Sequence, residues 1–106
     1  MSGELFETFI VSEIMKSYMN AGKDLDKIYF YRDKEKREID LLIEEGNTLY
    51  PIEIKKGAAI QKDWTKNFGA LSRIKDHKVA SETVICQIEK KMPITDSITA
   101  IPVEYI

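Results

Sequence analysis

Cysteine is almost missing from this chain: Cys86 is the only one in 106 residues. An intramolecular disulfide and a cysteine-based zinc cage are both excluded. Histidine is also single, and His77 sits in a polar turn, Lys75-Asp76-His77-Lys78, with no partner evident from the sequence. Only three prolines and five glycines occur, and no linker-like stretch, repeat or low-complexity tract interrupts the chain. No apolar run approaches the roughly 18 residues of a membrane span. Met1-Ser2-Gly3-Glu4 lacks the basic-then-apolar pattern of a signal peptide, so a cytoplasmic location with no membrane partner is expected. An excess of positive charge is missing too. Sixteen Lys and Arg stand against 18 Asp and Glu, for a formal net charge of −2. That counts against tight, sequence-independent nucleic-acid binding, which is driven by phosphate neutralisation. A local basic groove remains compatible with it, and Lys55, Lys56, Lys62 and Lys66 do cluster in one segment.

What is present suits one compact domain with a modest core, since 43% of residues are hydrophobic and 32% charged. Leu5, Phe6, Phe9, Ile10, Ile14 and Tyr18 recur at helical spacing, which predicts a helix over 4–19. Ser2 can cap it and Gly22 can end it. Apolar residues reach most of its sides, so cover on more than one face is expected. Aromatic and β-branched residues predict a strand over 27–32, with Phe30 in the core and Tyr29 and Tyr31 reaching polar surroundings. Further strands are expected over 38–44, 48–55, 82–88 and 99–105. Pro51 is awkward inside the third strand and suggests a bulge or an open edge there. Trp64, Phe68, Leu71 and Ile74 predict an amphipathic helix over 60–74. The order αβββαββ gives an α/β domain, a mixed sheet flanked by helices.

Asp40 and the run Glu53-Ile54-Lys55 carry the chemical signal. A two-residue loop at Gly46-Asn47 pairs Glu45 with Thr48, and counting outward sets Asp40 opposite Glu53. Directly opposed residues share a face, and Lys55 follows at the strand period of two. Opposed like charges destabilise a sheet, and a divalent cation is the usual compensation. On this reading Asp40, Glu53 and the carbonyl of Ile54 would bind Mg²⁺ or Mn²⁺, hard ions that prefer oxygen. Such an ion polarises a phosphodiester and helps generate hydroxide. Lys55 would orient the water or stabilise charge developing at phosphorus. The plainer alternative is an ion-paired sheet face, with pairs worth ~0–1 kcal/mol. Glu7 shares an angular sector with Ile10, Val11, Ile14 and Tyr18, and a carboxylate in such a stripe needs a reason. A third acidic group reaching the site is one. Glu13, flanked by Phe6 and Phe9, is placed no differently on the helical wheel.

Gln61, Lys62, Lys66 and Arg73, together with Lys56, could form a phosphate-contacting surface, with a solvated helix face as the alternative. Trp64 and Phe68 fit a core better than a stacking role, and Cys86 reads as a small buried hydrophobe.

The combination of Gly3-Glu4-Leu5-Phe6-Glu7 opening a helix, Ile39-Asp40, and Glu53-Ile54-Lys55 followed by Gly57 resembles the PD-(D/E)XK nuclease superfamily. More narrowly, it is similar to the nuclease-like C-terminal domain of unknown function found in many prokaryotic AAA-type ATPases. The resemblance covers nearly the whole chain and rests on the order of individually loose motifs. It implies a restriction-endonuclease-like fold, Mg²⁺-dependent hydrolysis of DNA, and an ATPase module on the same parent chain. It implies Glu7 as the helix-borne acid, Asp40 and Glu53 as metal ligands, and Lys55 as the catalytic lysine. Ile39 stands where the superfamily name has proline. No Gly-x-x-x-x-Gly-Lys-[Ser/Thr] phosphate loop occurs, so residues 1–106 are expected to be the C-terminal piece of a longer ATPase. The alternatives to an enzyme are a catalytically silent module that binds nucleic acid or protein, and an oligomerisation domain.

Overall fold

The computed structural model describes the backbone of residues 1–106 and every side chain but that of Arg73. One helix, α1 (Gly3–Asn20), opens the chain. The Ser2 hydroxyl accepts a hydrogen bond from the Leu5 N–H (3.1 Å), satisfying one of the donors a helix start leaves over. At the other end, Gly22 takes a φ of +71°, which a side chain would oppose. Its N–H bonds the Met19 carbonyl, and the Lys23 N–H reaches back to Tyr18. These two bonds close the helix in a Schellman arrangement. Among the described residues no helix is long and apolar enough to cross a membrane.

Seven strands follow: β1 (Ile28–Arg32), β2 (Glu38–Glu45), β3 (Thr48–Ile54), β4 (Lys78–Val79), β5 (Glu82–Cys86), β6 (Met92–Pro93) and β7 (Ile98–Pro102). They form one mixed sheet in the order β1-β2-β3-β5-β7-β6, with β4 also against β3. β1, β2 and β3 are an antiparallel meander, and β3, β5 and β7 run parallel. The β2–β3 hairpin has the expected register, Glu45 with Thr48. Gly46 supplies the positive φ (+61°) that a two-residue turn needs at its first position.

Pro51 is buried in β3, a strand with neighbours on both sides. The Leu49 carbonyl and the Lys55 N–H both bond toward the β4 and β5 side, to Ala80 and Ile85. Alternation therefore points the Pro51 nitrogen that way too. Pairing of β3 with β4 ends at Leu49 and pairing with β5 begins at Ile52. The residue without an N–H thus falls in the gap, where no ladder bond is lost.

Each face of the sheet has its own core. On one, Phe6, Ile10 and Ile14 of α1 pack on Leu41, Ile43, Ile54 and Ile85. On the other, Trp64, Phe68 and Leu71 pack on Ile39, Leu42, Val84 and Cys86. The second cover differs from the expected helix over 60–74. It is two 3₁₀ segments, Lys62–Thr65 and Phe68–Arg73. Asn67 and Gly69 are poor helix formers at the joint, and the apolar spacing is met without a continuous helix. The last strand also stops early, with a 3₁₀ turn over Val103–Tyr105. α1 is covered on a single face, not several: Leu5 and Phe9 remain 62% and 49% exposed.

Gly57 turns the chain out of β3 with a φ of +154°. A Cβ there would lie 3.1 and 3.2 Å from the Trp64 ring. Gly57→Ala is expected to lower stability by about 1–3 kcal/mol through this clash and the backbone strain. Urea unfolding checks it, and an unchanged midpoint would contradict both causes.

Candidate active site

A bulge sets the geometry. Tyr29 pairs with Leu42 and Tyr31 with Ile39, so Asp40 and Leu41 together stand opposite Phe30 alone. An extra residue in one strand bends it and re-aims its side chains. This explains why Ile39 packs with the 3₁₀ segments while Leu41 packs under α1.

Beyond Leu41–Ile52 the β2–β3 ladder passes from backbone to side chains. The Asp40 N–H donates to Glu53 Oε1 (3.2 Å), and the Ile54 N–H donates to Asp40 Oδ2 (2.7 Å). The two strand carboxylates therefore meet at the end of the hairpin. The carboxyl groups of Glu53 and of Glu7, one turn into α1, both lie beside that of Asp40, near enough for a proton to bridge either pair. Lys55 lies close enough to favour the charged forms of Glu7 and Glu53. Its own N–H is fixed to the Ile85 carbonyl (2.9 Å), which anchors the end of β3 to β5.

Among the described residues Glu53 is the one buried charged side chain, 4% exposed. Burial, and then the adjacent Asp40, push its carboxyl up to about 8. Glu7 is pushed up to about 7, by burial first and Asp40 next. Lys55 opposes both shifts, and one ammonium does not neutralise three carboxyl groups.

A cleft of about 210 Å³ opens onto Glu7 and Asp40, with Phe30, Arg32 and Glu38 at its rim. Wider clefts lie elsewhere, among them one of about 390 Å³ where Asp24, Glu44 and Glu45 meet Lys23 and Lys27, and two of about 420 Å³ each. Of the two widest, one is lined by Phe68, Leu71 and residues 79–82 and the other by Ala58, Ile60, Ile88 and Met92, and each offers a single carboxylate, Glu82 or Glu89.

The expected phosphate-contacting set is not gathered at these acids. Lys56 reaches the Met1 carbonyl oxygen, and Gln61 donates to Ala59 (3.5 Å). Gln61, Lys62 and Lys66 are exposed on the crossover, and among the described residues no hydrogen bond or ion pair joins them to the carboxylates. The Arg73 side chain lies outside the described residues. His77 does have a partner, contrary to its reading as isolated. Its Nε2 lies 2.6 Å from Glu44 Oε2, and Glu44 also accepts from the Tyr29 hydroxyl (3.1 Å). The fold creates this contact by laying β4 beside β3, a pairing of two residues too short to show as a strand pattern.

One family of known sequences matches almost the whole chain. The chain belongs to DUF4143, a domain of unknown function. The DUF4143 match spans residues 2–106, which takes in α1, the bulge and the terminal strand. No curated protein and no solved structure matches the chain.

The donor set fits a hard cation: carboxylate oxygens that repel one another, beside the β3 backbone. Among the described residues, however, no three His, Cys, Asp or Glu side chains stand ready grouped around a single ion. The carboxyl groups of Glu53 and Glu7 hold their protons more tightly than usual, with a consequence for stability. Glu53 and Glu7 are raised from 4.5 to about 8 and about 7, so the folded state binds more protons than the unfolded one across that window. The contribution of this pair to stability is therefore fully present below about pH 4.5 and lost as pH rises toward 8. Most of the fall expected from this pair comes from Glu53, because Glu53 is buried and Glu7 is partly solvated. Thermal melts in EDTA across this range check it. Glu53→Gln should flatten the slope, and a wild-type profile that rises with pH would contradict the assignment.

Proposed function

We propose that this domain is a metal-dependent phosphodiesterase of nuclease type, acting on DNA and working as an appendage of an AAA-type ATPase in the cytoplasm. The observation that supports it best is the position of Asp40. The bulge sets its carboxylate between Glu7 on the helix and Glu53 on the neighbouring strand, with Lys55 beside them. The resemblance in residue order to PD-(D/E)XK nucleases supplies the ATPase and DNA context.

In this reading Asp40 and Glu53, with the Ile54 carbonyl, hold Mg²⁺ or Mn²⁺. The ion, when bound, supplies charge neutralisation and a water of lowered pKa. The remaining work falls to the chain's own residues. Lys55 holds a phosphate oxygen as charge builds there. Glu7, raised to about 7, can keep or release a proton near neutral pH, where a general acid or base works best. The Ile54 N–H fixes the Asp40 carboxylate, so the oxygen donors are set before substrate arrives.

A second reading, a binding module that keeps the fold without the reaction, draws on two observations. The net charge of −2 opposes strong attraction to phosphates. One Asp40 oxygen is also committed to the Ile54 N–H.

Cleavage of single-stranded, double-stranded and branched DNA with Mg²⁺ or Mn²⁺ separates the two. Asp40→Ala and Lys55→Ala should each lower the rate by about 10²-fold or more. Titration calorimetry should show Mn²⁺ binding that Glu53→Ala weakens. Absence of both cutting and ion binding would leave the module.

A further inference from the structure

Phe30 is not in the core where an aromatic residue in mid-strand belongs. Ile28 packs under α1, and the strand period of two sets Phe30 and Arg32 on that same face. The helix covers Ile28 but leaves Phe30 67% exposed. Phe30 stands across from the Asp40–Leu41 bulge, and it lines the same cleft as Glu7 and Asp40. Arg32, next along that face, is engaged with Glu38 at 3.4 Å, and both side chains are well exposed. A pair of that kind is weak and exchanges readily for another anion.

We infer that Phe30 and Arg32 form a nucleotide platform at the mouth of the carboxylate cleft, one that takes single-stranded nucleic acid. An unpaired base stacks on the Phe30 ring and a phosphate replaces Glu38 on Arg32. The neighbouring phosphodiester then lies toward Asp40, Glu53 and Lys55. The inference rests on the phosphodiesterase reading and narrows its substrate. Stacking on a side chain requires an open base face, which duplexes hide and single strands offer. It also suits a chain of net charge −2, because stacking holds a nucleic acid without the many phosphate contacts that charge-driven binding needs.

The test is anisotropy of labelled oligonucleotides of about 12 nucleotides, a length within single-strand site sizes, with the 106-residue chain in Ca²⁺. Oligo-dT, oligo-rU and a blunt DNA duplex are compared. The single strands should bind at least about tenfold tighter than the duplex, and Phe30→Ala should remove about tenfold or more of that. Phe30→Trp should retain binding. Arg32→Ala should make the salt dependence shallower by about one phosphate contact. Phe30 is exposed, so Phe30→Ala should melt as the wild type does, which separates lost stacking from lost folding. The two single-strand arms tell DNA from RNA. Phe30-dependent binding with no cleavage in Mg²⁺ or Mn²⁺ would keep the platform and remove the hydrolase. Duplex cutting unaffected by Phe30→Ala would keep the hydrolase and overturn the platform. Wild-type binding to none of the three, or capture of a peptide strand along β1 in their place, would overturn it as well.

Discussion

The hydrogen bond from the Ile54 N–H to the Asp40 carboxylate, at 2.7 Å, is the contact on which the site depends. It forms where the β2–β3 ladder runs out, and it replaces a backbone acceptor with a side chain. A charge-assisted bond of this kind is stronger than an ordinary ladder bond. It holds an acid in the plane between two strands, where a carboxylate would otherwise turn to water. The Asp40 N–H completes the exchange by donating to Glu53. The two acids thus hold each other's strands, and each is oriented partly by a backbone N–H of the opposite strand.

The rest of the fold serves to fix that meeting point and to bury its Glu53 side. Glu53 pairs in register with Val84, and Ile54 with Ile85. Both partners are fully buried, one in each core. Glu53 therefore lies over the core capped by Trp64 and Phe68, while the Glu7 side comes from α1. Two separate hydrophobic layers, each modest in a chain of 106 residues, converge on one polar spot. Removing solvent there raises the carboxyl pKa values, and it also strengthens the hold on any cation that enters.

Much of this was legible in the residues. Gly46-Asn47 announced the hairpin, and the register placed Asp40 beside Glu53. Ser2 and Gly22 marked the helix ends, and the alternation of types gave the mixed sheet. The bulge was not legible, because Ile39, Leu41, Leu42 and Ile43 are all apolar and hide the change of face. Phe30 misled for a related reason. Its type favours the core, but its exposure is decided by where α1 stops covering the sheet. The crossover over 60–74 misled through its spacing, which a 3₁₀ pair satisfies as well as an α-helix does. The link between His77 and Glu44 is a matter of tertiary placement, 33 residues apart, and no local pattern encodes it.

That link has a bearing on how firmly the hairpin is seated. β2 is fastened at its start through Asp40 and near its end through Glu44, by carboxylates whose partners lie outside it: Ile54 on β3, His77 on the approach to β4 and Tyr29 on β1. Sliding β2 by one residue would unfasten both ends together and turn its apolar set outward. The alignment of the acids is thus protected from slippage by a clasp at the far end of the same strand.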